Sequence, residues 1–100
     1  MSEMEITLYS SPEFTVHGQF HAEYPNELFI HCNVHDWDIK VYRKMLFTWD
    51  VILDELRSRG CLQVNSIIPK KDTKTRRFQT MFGLSPLQET KDYVKYSLPL

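Results

Sequence analysis

The chain reads as an α/β (α+β) protein on a mixed β-sheet, with elements in the order β-β-β-α-β-α-β. Three observations lead there. Residues 14–34 alternate apolar and polar side chains with period two, in two successive runs. Residues 38–59 then switch to apolar spacing at i, i+3, i+4 and i+7, which is helical. The apolar run 62–68 returns to strand character after that helix, so the sheet begins antiparallel and acquires a parallel crossover.

Taken in order, residues 4–9 form the first strand, and Ser10-Ser11-Pro12 a turn. Residues 14–22 place Phe14, Val16, Gly18, Phe20 and Ala22 on one face and Thr15, His17, Gln19 and His21 on the other. Tyr24-Pro25-Asn26-Glu27 is read as the hairpin connection. Residues 28–34 alternate again, with Leu28, Ile30, Cys32 and Val34 opposite Phe29, His31, Asn33 and His35. The helix 38–59 carries the stripe Tyr42, Met45, Leu46, Trp49, Ile52, Leu53 and Leu56; Asp36 or Asp38 caps it and Gly60 stops it. Phe47 and Val51 lie off that stripe: they either widen the buried face or form a small exposed patch for a partner. Trp49 belongs to the core, and Trp37 reads as a staple at the helix entry. A strand at 62–68, a short helix at 73–82 closed by Gly83, and a last strand at 93–98 complete the order.

One hundred residues make one domain, 1–100, with the 42% hydrophobic and 25% charged content of an ordinary globular protein. A formal net charge of −1 makes nucleic acid an unexpected partner. The charge is uneven: residues 70–77 hold five Lys/Arg and one Asp, and residues 1–36 hold neither Lys nor Arg. No apolar run approaches the ~20 residues that span a membrane, and the acidic start lacks the basic region of a signal peptide. The expected location is the cytoplasm, where Cys32 and Cys61 are free, buried thiols.

The stretch VNSIIPKKDTKTRRFQTMFGLSP, set in this element order, resembles the acetyl-CoA-dependent N-acyltransferase (GNAT) superfamily, and in particular its small, divergent phage-encoded members. Phe82-Gly83-Leu84 stands where the family has a Leu/Phe-Gly-Phe stop. The resemblance covers about residues 5–98 and implies a truncated acyltransferase-like fold, without the family's first strand and first two helices. It also implies where a cofactor would lie. The family's glycine-rich turn before the long helix, whose N–H groups receive the pyrophosphate of coenzyme A, corresponds to Asp36-Trp37-Asp38-Ile39-Lys40-Val41-Tyr42-Arg43. That stretch has no glycine, and two aspartates at a helix mouth repel a diphosphate. The Tyr that many members use as general acid, four residues before the closing Gly, is replaced by Gln79. No carboxylate base is evident.

The expectation is therefore a non-catalytic protein-binding module on this fold, with a protein partner or a second copy as its target and no cofactor. The alternative is an active acetyl-CoA-dependent N-acetyltransferase, holding its cofactor through Lys40, Arg43, Lys70, Lys71, Lys74, Arg76 and Arg77. A third reading starts from the four histidines. With a turn at 25–27, His21 faces His31 and His17 faces His35, at Cβ separations of ~5 Å that allow two imidazoles to share a metal. The bland alternative for His17, His21, His31 and His35 is a wet polar sheet face.

Overall fold

A computed structural model describes residues 3–36 and 38–100, so the expected role of Trp37 lies outside the described residues. Along the chain run β1 (Glu3–Ser10), β2 (Phe14–His21), β3 (Tyr24–Val34), α1 (Ile39–Ser58), β4 (Gln63–Pro69), α2 (Thr73–Met81), β5 (Ser85–Glu89) and β6 (Tyr93–Pro99). The strands form one sheet in the order β1-β2-β3-β4-β6-β5. β3 and β4 are parallel, as a strand–helix–strand connection requires, and the other neighbours are antiparallel.

Both helices lie over one face of this sheet. Val41, Met45, Trp49, Ile52, Leu53 and Leu56 of α1 join Phe14, Val16, Leu28, Val64, Ile68, Leu84, Val94 and Tyr96 in a single core. Trp49 Nε1 donates to Phe82 O at 2.9 Å, which ties α1 to the end of α2. The stripe of α1 is rotated from the expected one: Val41 is buried, and Tyr42 and Leu46 are only half-buried. Phe47 and Val51 are exposed by 73% and 54%, so they do not widen the buried face. Asp38 is the helix cap, its side chain accepting from Val41 N, and Gly60 and Gly83 take positive φ just beyond the two helices.

Three further expectations are corrected. A strand, β5, follows Gly83 where the sequence suggested none. It is an edge strand, exposed throughout and carrying Pro86, so it has neither a buried face nor apolar alternation to announce it. The β2–β3 turn is Ala22-Glu23, and β3 begins at Tyr24. His17 consequently faces His31, and His21 pairs with Tyr24, with an irregularity between Gln19 and His21. From Phe14 to Gln19 the shift is four residues, as from position 35 to position 31 for His17; because four is even, the side chains paired there keep their expected faces. Finally, both cysteines are free, but Cys32 is exposed, and Cys61 is half-buried and precedes β4. Among the described residues no helix is long and apolar enough to cross a membrane.

Candidate functional site: a cleft between two parallel strands

β3 and β4 are joined only from Glu27↔Gln63 through Leu28↔Val64 to Phe29↔Asn65. Beyond that point each strand follows its other neighbour: β3 stays paired with β2 to Val34, and β4 stays paired with β6 to Pro69. The parallel pair therefore splays open. A cavity of about 410 Å³ fills the gap. Ile30 and Cys32 of β3, Ser66 and Ile68 of β4, Trp49 and Ile52 of α1, and Phe78 and Gln79 of α2 line it.

Its inner walls are mostly apolar, with one fixed polar pair among them, while His31, Asn33, Thr48, Asp72, Lys74 and Thr75 add polar groups to the lining. Ser66 Oγ donates to Gln79 Oε1 at 2.6 Å, and Gln79 Nε2 donates to Thr75 O at 3.2 Å, one turn back in α2. Phe82 stacks on Phe78 and meets the edge of Trp49, closing the helical side. Cys32 is exposed at the open cleft, yet the protein atoms crowded around its thiol displace part of its water, and this desolvation pushes its pKa up to about 11.

Because the strands are parallel, their C-terminal ends and both helix N-termini meet at the same mouth. Each helix is capped by its own aspartate. Asp38 Oδ1 accepts from Val41 N at 2.9 Å, and Asp72 Oδ1 accepts from Thr75 N at 3.1 Å. Hydrogen bonds from the Thr75 hydroxyl and backbone N–H hold the Asp72 carboxyl below its ordinary value. Among the basic residues, Lys70 pairs with Glu89 at 2.9 Å. Arg76 donates to Tyr96 Oη at 3.1 Å and to Lys70 O at 3.2 Å. Those two brace the fold. Lys71, Lys74 and Arg77 are exposed on the α2 lip with no ion pair among the described residues, and Lys40 and Arg43 are exposed on the first turns of α1.

The histidines occupy the sheet face that carries neither helix. His17 Nδ1 is 4.0 Å from Glu5 Oε1, His31 Nε2 is 3.1 Å from Asn33 Oδ1, and His21 meets the Phe29 ring edge-on. His35 Nε2 lies 3.4 Å from Thr15 Oγ1. Among the described residues no group of three His, Cys, Asp or Glu side chains converges in a way that could hold a metal ion.

An antiparallel meander, a parallel strand pair that opens like a V, and helices after both of its strands define a known architecture. The fold is that of the GNAT acetyltransferases. The GNAT domain of S. lividans PAT superposes with a TM-score of 0.71 at 13% identity, over 99% of this chain and 61% of that one. An acetyltransferase from Thermus thermophilus gives 0.71 at 12% identity, over 99% and 65%. One from Bacillus cereus ATCC 14579 gives 0.71 at 14% identity, over 98% and 74%. The chain thus spans less than two thirds of the first two. No protein-family profile and no curated protein matches its sequence.

The group this fold implies is acyl-coenzyme A, and the site residues suit only part of it. The apolar cleft has room for a narrow chain. The diphosphate end does not fit: the Val41 N–H that an anion would use is taken by Asp38, no glycine lies in 36–43, and positive φ occurs among the described residues only at Gly60 and Gly83. Gln79, with its oxygen engaged by Ser66, has no acidic proton to give. Sequence reasoning named Gln79 but missed its partner and the lining residues Ile30, Cys32, Ser66 and Phe78. No local signal marks them, since a splay is a property of two strands at once.

Proposed function

We propose that this chain is a non-catalytic binding module built on the GNAT fold, working through a protein partner. One observation carries the reading: the helix mouth that would receive a diphosphate is already occupied by the Asp38 carboxylate, with Asp36 two residues before it. An anion approaching that end meets negative charge and an N–H already spent on the cap. Gln79 supports the same reading, since a side-chain amide held by two hydrogen bonds is a structural fitting rather than a proton donor. Within this reading a virion component or a modulator of a host protein is the setting that the phage resemblance suggests.

The second reading, an active N-acetyltransferase using acetyl-CoA, is favoured by the cleft itself and by Lys71, Lys74 and Arg77 at its mouth. Isothermal titration with acetyl-CoA separates the two. No heat at millimolar ligand is the expected result; micromolar binding overturns the non-catalytic reading.

A further inference from the structure

We infer that the cleft between β3 and β4 receives an extended, acidic peptide segment of a partner protein, which inserts as a short strand between the two parallel edges. The inference deepens the non-catalytic reading and rests on it.

The first support is the direction of backbone groups. Along a strand, N–H and C=O point alternately to the two sides. His35 N donates to Glu13 O, on the β2 side, and the β2–β3 register runs unbroken from Phe29 to Val34. Cys32 and Val34 therefore turn their N–H and C=O away from β2, into the splay. On β4, Lys70 N donates to Asp92 O, on the β6 side, so Ile67 turns its N–H and C=O toward β3. Both walls present backbone donors and acceptors in parallel register, and no ladder joins them beyond Phe29↔Asn65. Backbone groups of this kind seek partners, and an extended peptide offers them on both of its edges.

The second support is size. Residues 66–69 offer about 13 Å of edge at ~3.3 Å per residue, which matches a four-residue strand. The cavity of about 410 Å³ adds room for an apolar side chain against Ile30, Trp49 and Phe78.

Charge decides the character of the segment. Residues 70–77 carry five Lys/Arg against one Asp, and of these Lys71, Lys74 and Arg77 lie exposed on the α2 lip without an ion pair among the described residues. The α1 lip, with Asp36, Asp38, Lys40 and Arg43, is balanced. A carboxylate beside the inserted apolar residues pairs with the α2 lip, and a lysine there is repelled.

The test uses the full chain and a fluorescein-labelled Glu-Val-Ile-Val-Glu peptide, read by anisotropy. Three comparisons accompany it: a Lys-Val-Ile-Val-Lys peptide, an analogue N-methylated at alternate amides, and a Lys71→Glu/Lys74→Glu variant, whose exposed positions leave folding intact. The acidic peptide is expected to bind at a Kd on the order of 10 μM, with each comparison about tenfold weaker or worse. Backbone amide exchange at Cys32 and Ile67 should slow in the complex. Silence at millimolar peptide, or equal binding of the N-methylated analogue, overturns the inference. Parallel titration with acetyl-CoA separates the two proposals. If both ligands are silent, the non-catalytic reading stands and the strand site falls. If acetyl-CoA alone binds, both fall. If both bind and displace each other, the strand site stands and the non-catalytic reading falls.

Discussion

Gly18 is the position where the closed end of the cleft is most sensitive to a single methyl group. It pairs with Ile30 across β2–β3, and a Cβ at residue 18 would stand 2.9 Å from Leu28 Cδ1, 3.1 Å from Cδ2 and 3.2 Å from Cγ. Carbon atoms settle at about 3.5–4.0 Å, so Leu28 must give way. It has nowhere to go: it is fully buried and sits where β3 still holds β4, opposite Val64. Gly18→Ala should therefore cost ~1–3 kcal/mol of overpacking. About 0.4–1 kcal/mol returns through the reduced entropy of the unfolded chain, because the Gly18 φ is one that alanine adopts. The two ranges leave a net loss of ~0–2.6 kcal/mol, centred on about 1.3 kcal/mol, or a Tm roughly 5–10 °C lower at that centre for a domain of this length. Thermal and urea unfolding followed by circular dichroism measure it. The same substitution in a Leu28→Ala background should be neutral or stabilising, because the methyl then enters space the leucine vacated; the coupling should fall within ~0.5–3 kcal/mol. A Gly18→Ala protein as stable as the parent, or an equal loss in both backgrounds, refutes the steric argument.

Trp49→Phe removes the indole donor to Phe82 O and part of the cleft's helical wall; a loss of about 1–3 kcal/mol is expected from urea unfolding, and an unchanged midpoint would show that the bond does not link the helices. The Cys32 thiol, pushed from 9.0 up to about 11, should alkylate at pH 8 about 100-fold more slowly than an unperturbed thiol, from the two-unit difference in thiolate population; equal rates in a Cys61→Ser background would contradict the desolvation. Acid stability follows from Glu13, Asp72 and Glu89, held below their ordinary values by hydrogen bonds from Ser11, Thr75 and Lys70 respectively. A depressed folded pKa stabilises above the unfolded value and is lost as pH falls through the folded one. Their contribution is thus present at neutral pH, begins to fall as pH drops past about 4.5 for the glutamates and 3.8 for the aspartate, and is gone below their lower folded values. A Glu13→Gln/Asp72→Asn/Glu89→Gln variant should show a flatter urea midpoint against pH in that range; an acid slope identical to the parent's would remove these groups as its cause.

The elements that depend on short-range rules are legible in the order of residues alone. Period-two alternation identified β2 and β3 and assigned their faces correctly, and helical spacing located α1 to within a residue at each end. Asp38 and Gly60 did what their chemistry dictates at a helix start and stop. Where a side chain has no buried face, the pattern is silent, and β5 passed unnoticed for that reason. Register was the other failure. Moving the hairpin turn to Ala22-Glu23 changed which histidines oppose one another without altering which face they occupy, and alternation cannot detect an even shift. The glycine-free run 36–43 and the Asp38 cap, by contrast, are local facts that the order of residues states directly.

By itself, then, the sequence determined a mixed α/β sheet, a capped long helix with a glycine-free start, and a basic segment at 70–77. Each follows from residues a few positions apart. Only the tertiary structure decided that β3 and β4 separate after Phe29↔Asn65, that Ser66 of β4 meets Gln79 of α2, and that a cavity opens there with charged lips. The physical reason is that each of those strands satisfies its hydrogen bonds with a different outer neighbour. Which neighbour wins depends on the packing of the whole sheet and on no run of residues within it.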